Sequence, residues 1–178
     1  MLLNRQRRVR VALPPLAKFL ERVRGMLGLA GRELTVCLLS DAAMARLNQR
    51  FHGTRGPTDV LSFPADGMGM KKNRHSKQPK HSKSAQRRQA VAGSLAPGPS
   101  GFPSCSFASS ASLVHAGDIA IAAETARRNA RRYGRTLDQE LRILILHGAL
   151  HLAGYDHETD HGQMNRLEAR LRRRLGLA

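Results

Sequence analysis

His147-Gly148-Ala149-Leu150-His151-Leu152-Ala153-Gly154-Tyr155-Asp156-His157 sets three histidines at relative positions one, five and eleven. On an α-helix, residues four apart share a face, so His147 and His151 can turn one imidazole each toward the same ion. Gly154 ends that helix, because a glycine just past the last turn takes the left-handed conformation that other residues resist. The chain then folds back, and His157 supplies a third nitrogen. The spacing predicts a metal site made by His147, His151 and His157. Three protein ligands leave one position open, and on zinc an open fourth position is where water binds and loses a proton near neutral pH.

The helix carrying the first two histidines is announced by Thr136-Leu137-Asp138-Gln139, which fits a capping box. Its body is apolar around most of the circumference, at Leu141, Ile143, Leu144, Ile145, Leu146, Leu150 and Leu152. Such a helix is buried by neighbours on nearly all sides and would hold its histidines rigidly. A single histidine there would be an ordinary core residue satisfied by hydrogen bonds; three about a glycine turn point to ligands.

The same stretch meets every fixed position of the metzincin peptidase signature H-E-x-x-H-x-x-G-x-x-H except the second. In those peptidases the glutamate after the first histidine takes a proton from zinc-bound water. Here that position is Gly148. Glycine carries no proton, so the ligand spacing is kept and the peptidase machinery is not.

Outward from this stretch, 178 residues with 41% apolar content suit one domain with a core of ordinary size. The net charge of +17 favours a polyanionic partner such as nucleic acid. Cys37 and Cys105 lie far apart in unlike settings, which suggests reduced thiols. No secretory signal is evident and no uncharged apolar run is long enough to span a bilayer, so the expectation is a cytoplasmic protein with no membrane partner. A short first strand in the opening residues is followed by a helix starting at Pro14 and Pro15, with Leu16, Phe19, Leu20, Val23 and Leu27 on one face. Glu33 to Leu39 reads as a strand, and Ser40 or Asp41 can cap a helix bearing Met44, Leu47 and Phe51. Strands are expected at Pro57–Pro64 and Gly117–Ala122, then a helix from Glu124 to Tyr133. A last helix is expected from Thr159 or Asp160, with Met164, Leu167, Leu171 and Leu175 inward and Arg166, Arg170, Arg172, Arg173 and Arg174 outward.

Between the two later strands, residues 65–116 carry eight basic residues and one acid, followed by Gly, Pro, Ser and Ala without sustained periodicity. This stretch reads as a disordered insertion within a single domain spanning 1–178. It holds +7 of the charge, so the remaining chain is itself basic at +10.

Pro57-Thr58-Asp59-Val60-Leu61-Ser62-Phe63-Pro64, Gly117-Asp118-Ile119 and the stretch from His147 to His157 together resemble the YbeY family of metal-dependent endoribonucleases, also described as rRNA maturation factors. The resemblance covers most of the chain outside 65–116. It implies an α+β fold in which a small mixed sheet packs with helices around a central buried helix carrying the histidines. It also implies one zinc ion per chain at His147, His151 and His157, and hydrolysis of single-stranded RNA. The partners implied are rRNA and the ribosome or its small subunit, in rRNA processing, ribosome biogenesis and quality control.

Two departures from the family pattern stand out. The connection across 65–116 is far longer than usual, and His52 occupies the place of an arginine whose planar fork suits a phosphate. Arg50 or Arg55 are the candidates to contact phosphate instead. Asp156, beside a ligand, is a candidate either for the base that takes the water proton or for a group that orients a histidine. Two rivals remain: a non-catalytic ribosome assembly factor that binds RNA around a structural zinc, and a zinc peptidase, against which Gly148 counts. Gly148→Glu restores the metzincin signature on paper; on grounds of charge it is expected to lose RNA cleavage while keeping the metal.

Overall fold

The computed structural model describes residues 1–65, 114–156 and 160–177, all within one structural unit. The segment expected to be an insertion, 65–116, lies outside the described residues apart from Ala65 at one end and residues 114–116 at the other. Among the described residues four strands form one sheet: β1 (Leu2–Asn4), β2 (Arg32–Leu39), β3 (Val60–Pro64) and β4 (Val114–Ala122), in the order β1-β2-β4-β3. β1, β2 and β4 run parallel, and β3 runs antiparallel to β4 at the edge. The helices of the described residues are α1 (Leu13–Met26), α2 (Asp41–His52), α3 (Ala123–Arg132), α4 (Leu137–Leu152) and α5 (Gln163–Leu175). The architecture is α+β with a small mixed sheet.

Local signals explain where the elements begin. α1 starts with prolines in its first turn, where a missing N–H costs nothing, and buries Leu16, Phe19, Leu20 and Val23 at helical spacing. Thr136 caps α4 as expected: its hydroxyl accepts from the Gln139 backbone amide at 3.2 Å while the Gln139 side-chain Oε1 accepts from the Thr136 backbone amide at 2.9 Å. β4 begins three residues earlier than its alternation suggested, because Ala116 sits at an irregularity where the register against β2 shifts. Gly117 follows it with φ +138, and a Cβ there would stand 2.4 Å from the Phe63 carbonyl oxygen, so only glycine fits. α5 starts at Gln163 rather than at 159 or 160, and Asp160 acts from outside, accepting from the Gly162 amide at 2.9 Å and from the Met164 amide.

Alternation along β4 sorts the sheet into two faces. Ile119 and Ile121 join the main core with Val36, Leu38, α1 and α4. Ala120 and Ala122 face the other way, onto Met44 and Leu47 of α2, with Leu61 and Phe63 of β3. α4 therefore covers one face and α2 the other. The burial of α4 extends nearly all round, taking in Leu141, Ile143, Leu144, Ile145, Leu146, Ala149, Leu150 and Leu152. Cys37 is a buried thiol on β2, whereas Cys105 lies outside the described residues. No helix among the described residues is long and apolar enough to cross a membrane.

Candidate metal centre

His147 and His151 stand one turn apart near the C-terminal end of α4, half-buried, with ring centroids 4.8 Å apart. Their Nε2 atoms approach to 3.2 Å. Two nitrogens bound to one tetrahedral zinc at about 2.0–2.1 Å would lie roughly 3.3 Å apart, so the ring pair already has the separation that a shared ion requires.

The turn that follows has the expected form. Gly154 takes φ +91, its amide donates to the His151 carbonyl at 3.0 Å, and the Tyr155 amide donates to the Leu150 carbonyl at 3.1 Å. These are the two bonds of a Schellman motif, which satisfies the last carbonyls of α4 and reverses the chain. Asp156, half-buried, comes directly after that turn. His157 lies outside the described residues. Among the described residues no third histidine, cysteine or carboxylate completes a set of three metal ligands.

Glu168, which sequence reasoning missed, stands behind the ring pair. It sits on the buried side of α5, and its Oε2 is 3.0 Å from His147 Nδ1. Arg172, one turn further along α5, donates from Nη2 to Glu168 Oε1. Burial pushes the Glu168 carboxyl up, but the His147 hydrogen bond and the Arg172 charge together outweigh it and hold the group below the usual glutamate range. It is therefore an ionised acceptor set against the Nδ1 side of the His147 ring, while Nε2 of that ring faces His151. The only sequence signal for Glu168 was a charged residue on the apolar stripe of α5, four positions after Met164 and three before Leu171.

Arg50 and Arg55 lie on α2 and in the loop that follows it. Arg50 is exposed in the last turn of α2, its guanidinium 5.5 Å from the centre of the Phe51 ring, and Arg55 is exposed in the loop between α2 and β3. They belong to the helix on the opposite sheet face from α4 and to its outgoing loop. The outward residues of α5, Arg166, Arg170, Arg173 and Arg174, are exposed on the helix that carries Glu168.

The fold and the ring pair define a class: a small α+β protein presenting two imidazoles, separated as zinc ligands would be, on a buried helix under a mixed sheet. A family model described as endoribonuclease YbeY matches residues 4–176, and the chain belongs to that family. It is 34% identical to an endoribonuclease YbeY of Koribacter versatilis, over 99% of this chain and 86% of that one. A second relative of the same name, from Solibacter usitatus, is also 34% identical, over 83% of this chain and 69% of its own. A third, from Nautilia profundicola, is 30% identical over 84% of this chain and 76% of its own. The solution structure of TM1509 from Thermotoga maritima shares the fold, with a TM-score of 0.53 and 24% identity over 96% of this chain and 85% of that one.

Proposed function

We propose that the chain is a zinc-dependent endoribonuclease that cuts single-stranded RNA. Its place would be in the cytoplasm, in maturation and quality control of ribosomal RNA on the ribosome or its small subunit. The observation that carries this reading is the pair of Nε2 atoms 3.2 Å apart with an ionised carboxylate behind one ring, in a chain whose relatives bear the name endoribonuclease.

His147, His151 and His157 would hold one ion per chain. When bound, zinc supplies Lewis acidity at a phosphoryl oxygen and makes water acidic enough to attack near neutral pH. The chain's own residues do the rest. Glu168 keeps the proton on His147 Nδ1, and Arg172 anchors Glu168. Exposed Arg50 and Arg55 are assigned to the RNA backbone, where guanidinium groups match phosphate. Asp156 either takes the proton of the attacking water or orients a histidine ring. Contacts to a flexible backbone select single strands and give little sequence choice.

The test measures metal content per chain alongside cleavage of a labelled single-stranded RNA, with and without chelator and across a salt series. One zinc per chain is expected, with cleavage that chelator abolishes and that weakens as salt rises, because phosphate contacts release counterions. His147→Ala and His151→Ala should each lose both metal and cleavage, since two remaining nitrogens hold zinc poorly. RNA binding without cleavage would instead indicate a non-catalytic assembly factor, and cleavage of an unstructured peptide would indicate a peptidase.

A further inference from the structure

We propose that Glu168 is the positioning residue of the metal centre: with its carboxylate clamped by Arg172, it selects the tautomer of His147 that points a lone pair at the ion. The metal part of this inference rests on the reading given above; the tautomer part does not.

A glutamate only 6% exposed on the inner face of α5 needs an explanation. Its neighbours on that face are Met164, Leu171 and Leu175, and an apolar residue would pack there without the cost of desolvating a charge. The carboxylate instead has a partner on each oxygen. Oε1 accepts from Arg172 within the same helix, and Oε2 faces His147 Nδ1 across the α4–α5 contact at 3.0 Å. Arg172 fixes the rotation of the carboxylate, so Oε2 stands at one place against the ring. A neutral imidazole carries its proton on one nitrogen only. An anionic acceptor at Nδ1 puts that proton there and leaves Nε2 basic.

The experiment uses the full chain as wild type, Glu168→Ala, Glu168→Gln and Arg172→Gln. Imidazole nitrogen NMR of the metal-free protein reads the tautomers directly, zinc affinity is read by chelator competition, and thermal unfolding of the metal-free protein reports whether each variant is folded. In wild type His147 is expected protonated on Nδ1, both before and after zinc is added. In Glu168→Ala the His147 preference should be lost, and zinc affinity should fall about 10- to 100-fold. Arg172→Gln should produce a smaller shift in the same direction. Should Glu168→Ala fail to fold, Glu168→Gln, of nearly the same shape but without charge, carries the test. A folded Glu168 variant with the wild-type His147 tautomer overturns the inference, because a carboxylate that merely ties α5 to α4 would leave the rings' proton positions alone. A wild type that takes up no zinc while its His147 tautomer still depends on Glu168 upholds the orienting role and removes the metal reading instead.

Discussion

A Cβ at position 148 would stand 2.8 Å from Ile119 Cγ2 and 3.1 Å from Ser62 Oγ, so α4 rests on the sheet at a distance only glycine allows. In the sequence, Gly148 reads as the absence of a peptidase base; its packing role depends on Ile119, a neighbour twenty-nine positions away that no local pattern reveals. This changes the expectation for Gly148→Glu. A glutamate there would be driven into β3 and β4 rather than toward the ring pair, so the expected outcome becomes loss of the seated helix and of the proposed metal site with it. The milder Gly148→Ala should also destabilise, by about 1–3 kcal/mol as an overpacked core. That sign is opposite to helix propensity, which by itself favours alanine by about 1 kcal/mol. Urea denaturation of the two proteins decides it: a Gly148→Ala midpoint equal to or above wild type would mean that the contact relaxes freely. Signals held within a few residues, such as the Thr136 capping box and the Gly154 turn, were legible. Glu168 was not, because what gives it a role is a ring on another helix.

Among the elements, α2 and α3 hold each other's first turns. Ser40 caps α2, its hydroxyl accepting from Ala43 at 3.3 Å, which leaves the Asp41 carboxylate for a different helix. Asp41 Oδ1 accepts from the Thr125 amide at 3.0 Å and from its hydroxyl at 2.9 Å, and Oδ2 pairs with Arg128 at 2.7 Å. In return, Glu124 Oε2 accepts from the Asp41 amide at 2.6 Å. α3 has no side-chain cap of its own at Ala122, so Asp41 serves as one across 84 residues of sequence. The sequence offered Ser40 and Asp41 as alternatives for one cap; the structure uses both, for two helices. Burial pushes the Asp41 carboxyl up, but the hydrogen bonds from Arg128 and Thr125 outweigh it and hold the group below the ordinary aspartate range. The unfolded value is about 3.9, so the stability linked to this charge is present in full above that pH and is lost as pH falls through the folded value. Asp41→Asn should therefore be less stable than wild type at pH 7, and the gap should narrow toward pH 3. Urea midpoints at the two pH values check this, and a gap that stays constant would remove the charge from the account.

At the scale of the whole molecule, the sheet brings together the two ends of the segment 66–113. Pro64 pairs with Gly117, and the Ala65 amide donates to the Ala116 carbonyl at 3.3 Å, so the ends of β3 and β4 already lie side by side. Antiparallel neighbours need only a short connection, commonly two to five residues. Deleting 71–110 would still leave residues 66–70 and 111–113 to join β3 to β4, and the fold should survive with a single cooperative urea transition by circular dichroism. A broadened or absent transition would show that the deleted residues contribute to the core. Strand and helix identities were legible throughout from periodicity; the order β1-β2-β4-β3 was not, since nothing local says which strands become neighbours. That order also has a consequence during synthesis. Among the described strands β3 is at the edge with β4 as its one neighbour, and 49 residues lie between Pro64 and Val114. At roughly 5–20 residues per second, a nascent chain carries Leu61 and Phe63 for about 2–10 seconds before their partner strand has been made. For those seconds the apolar side of a future edge strand stands without its sheet, the condition in which unpaired strands aggregate.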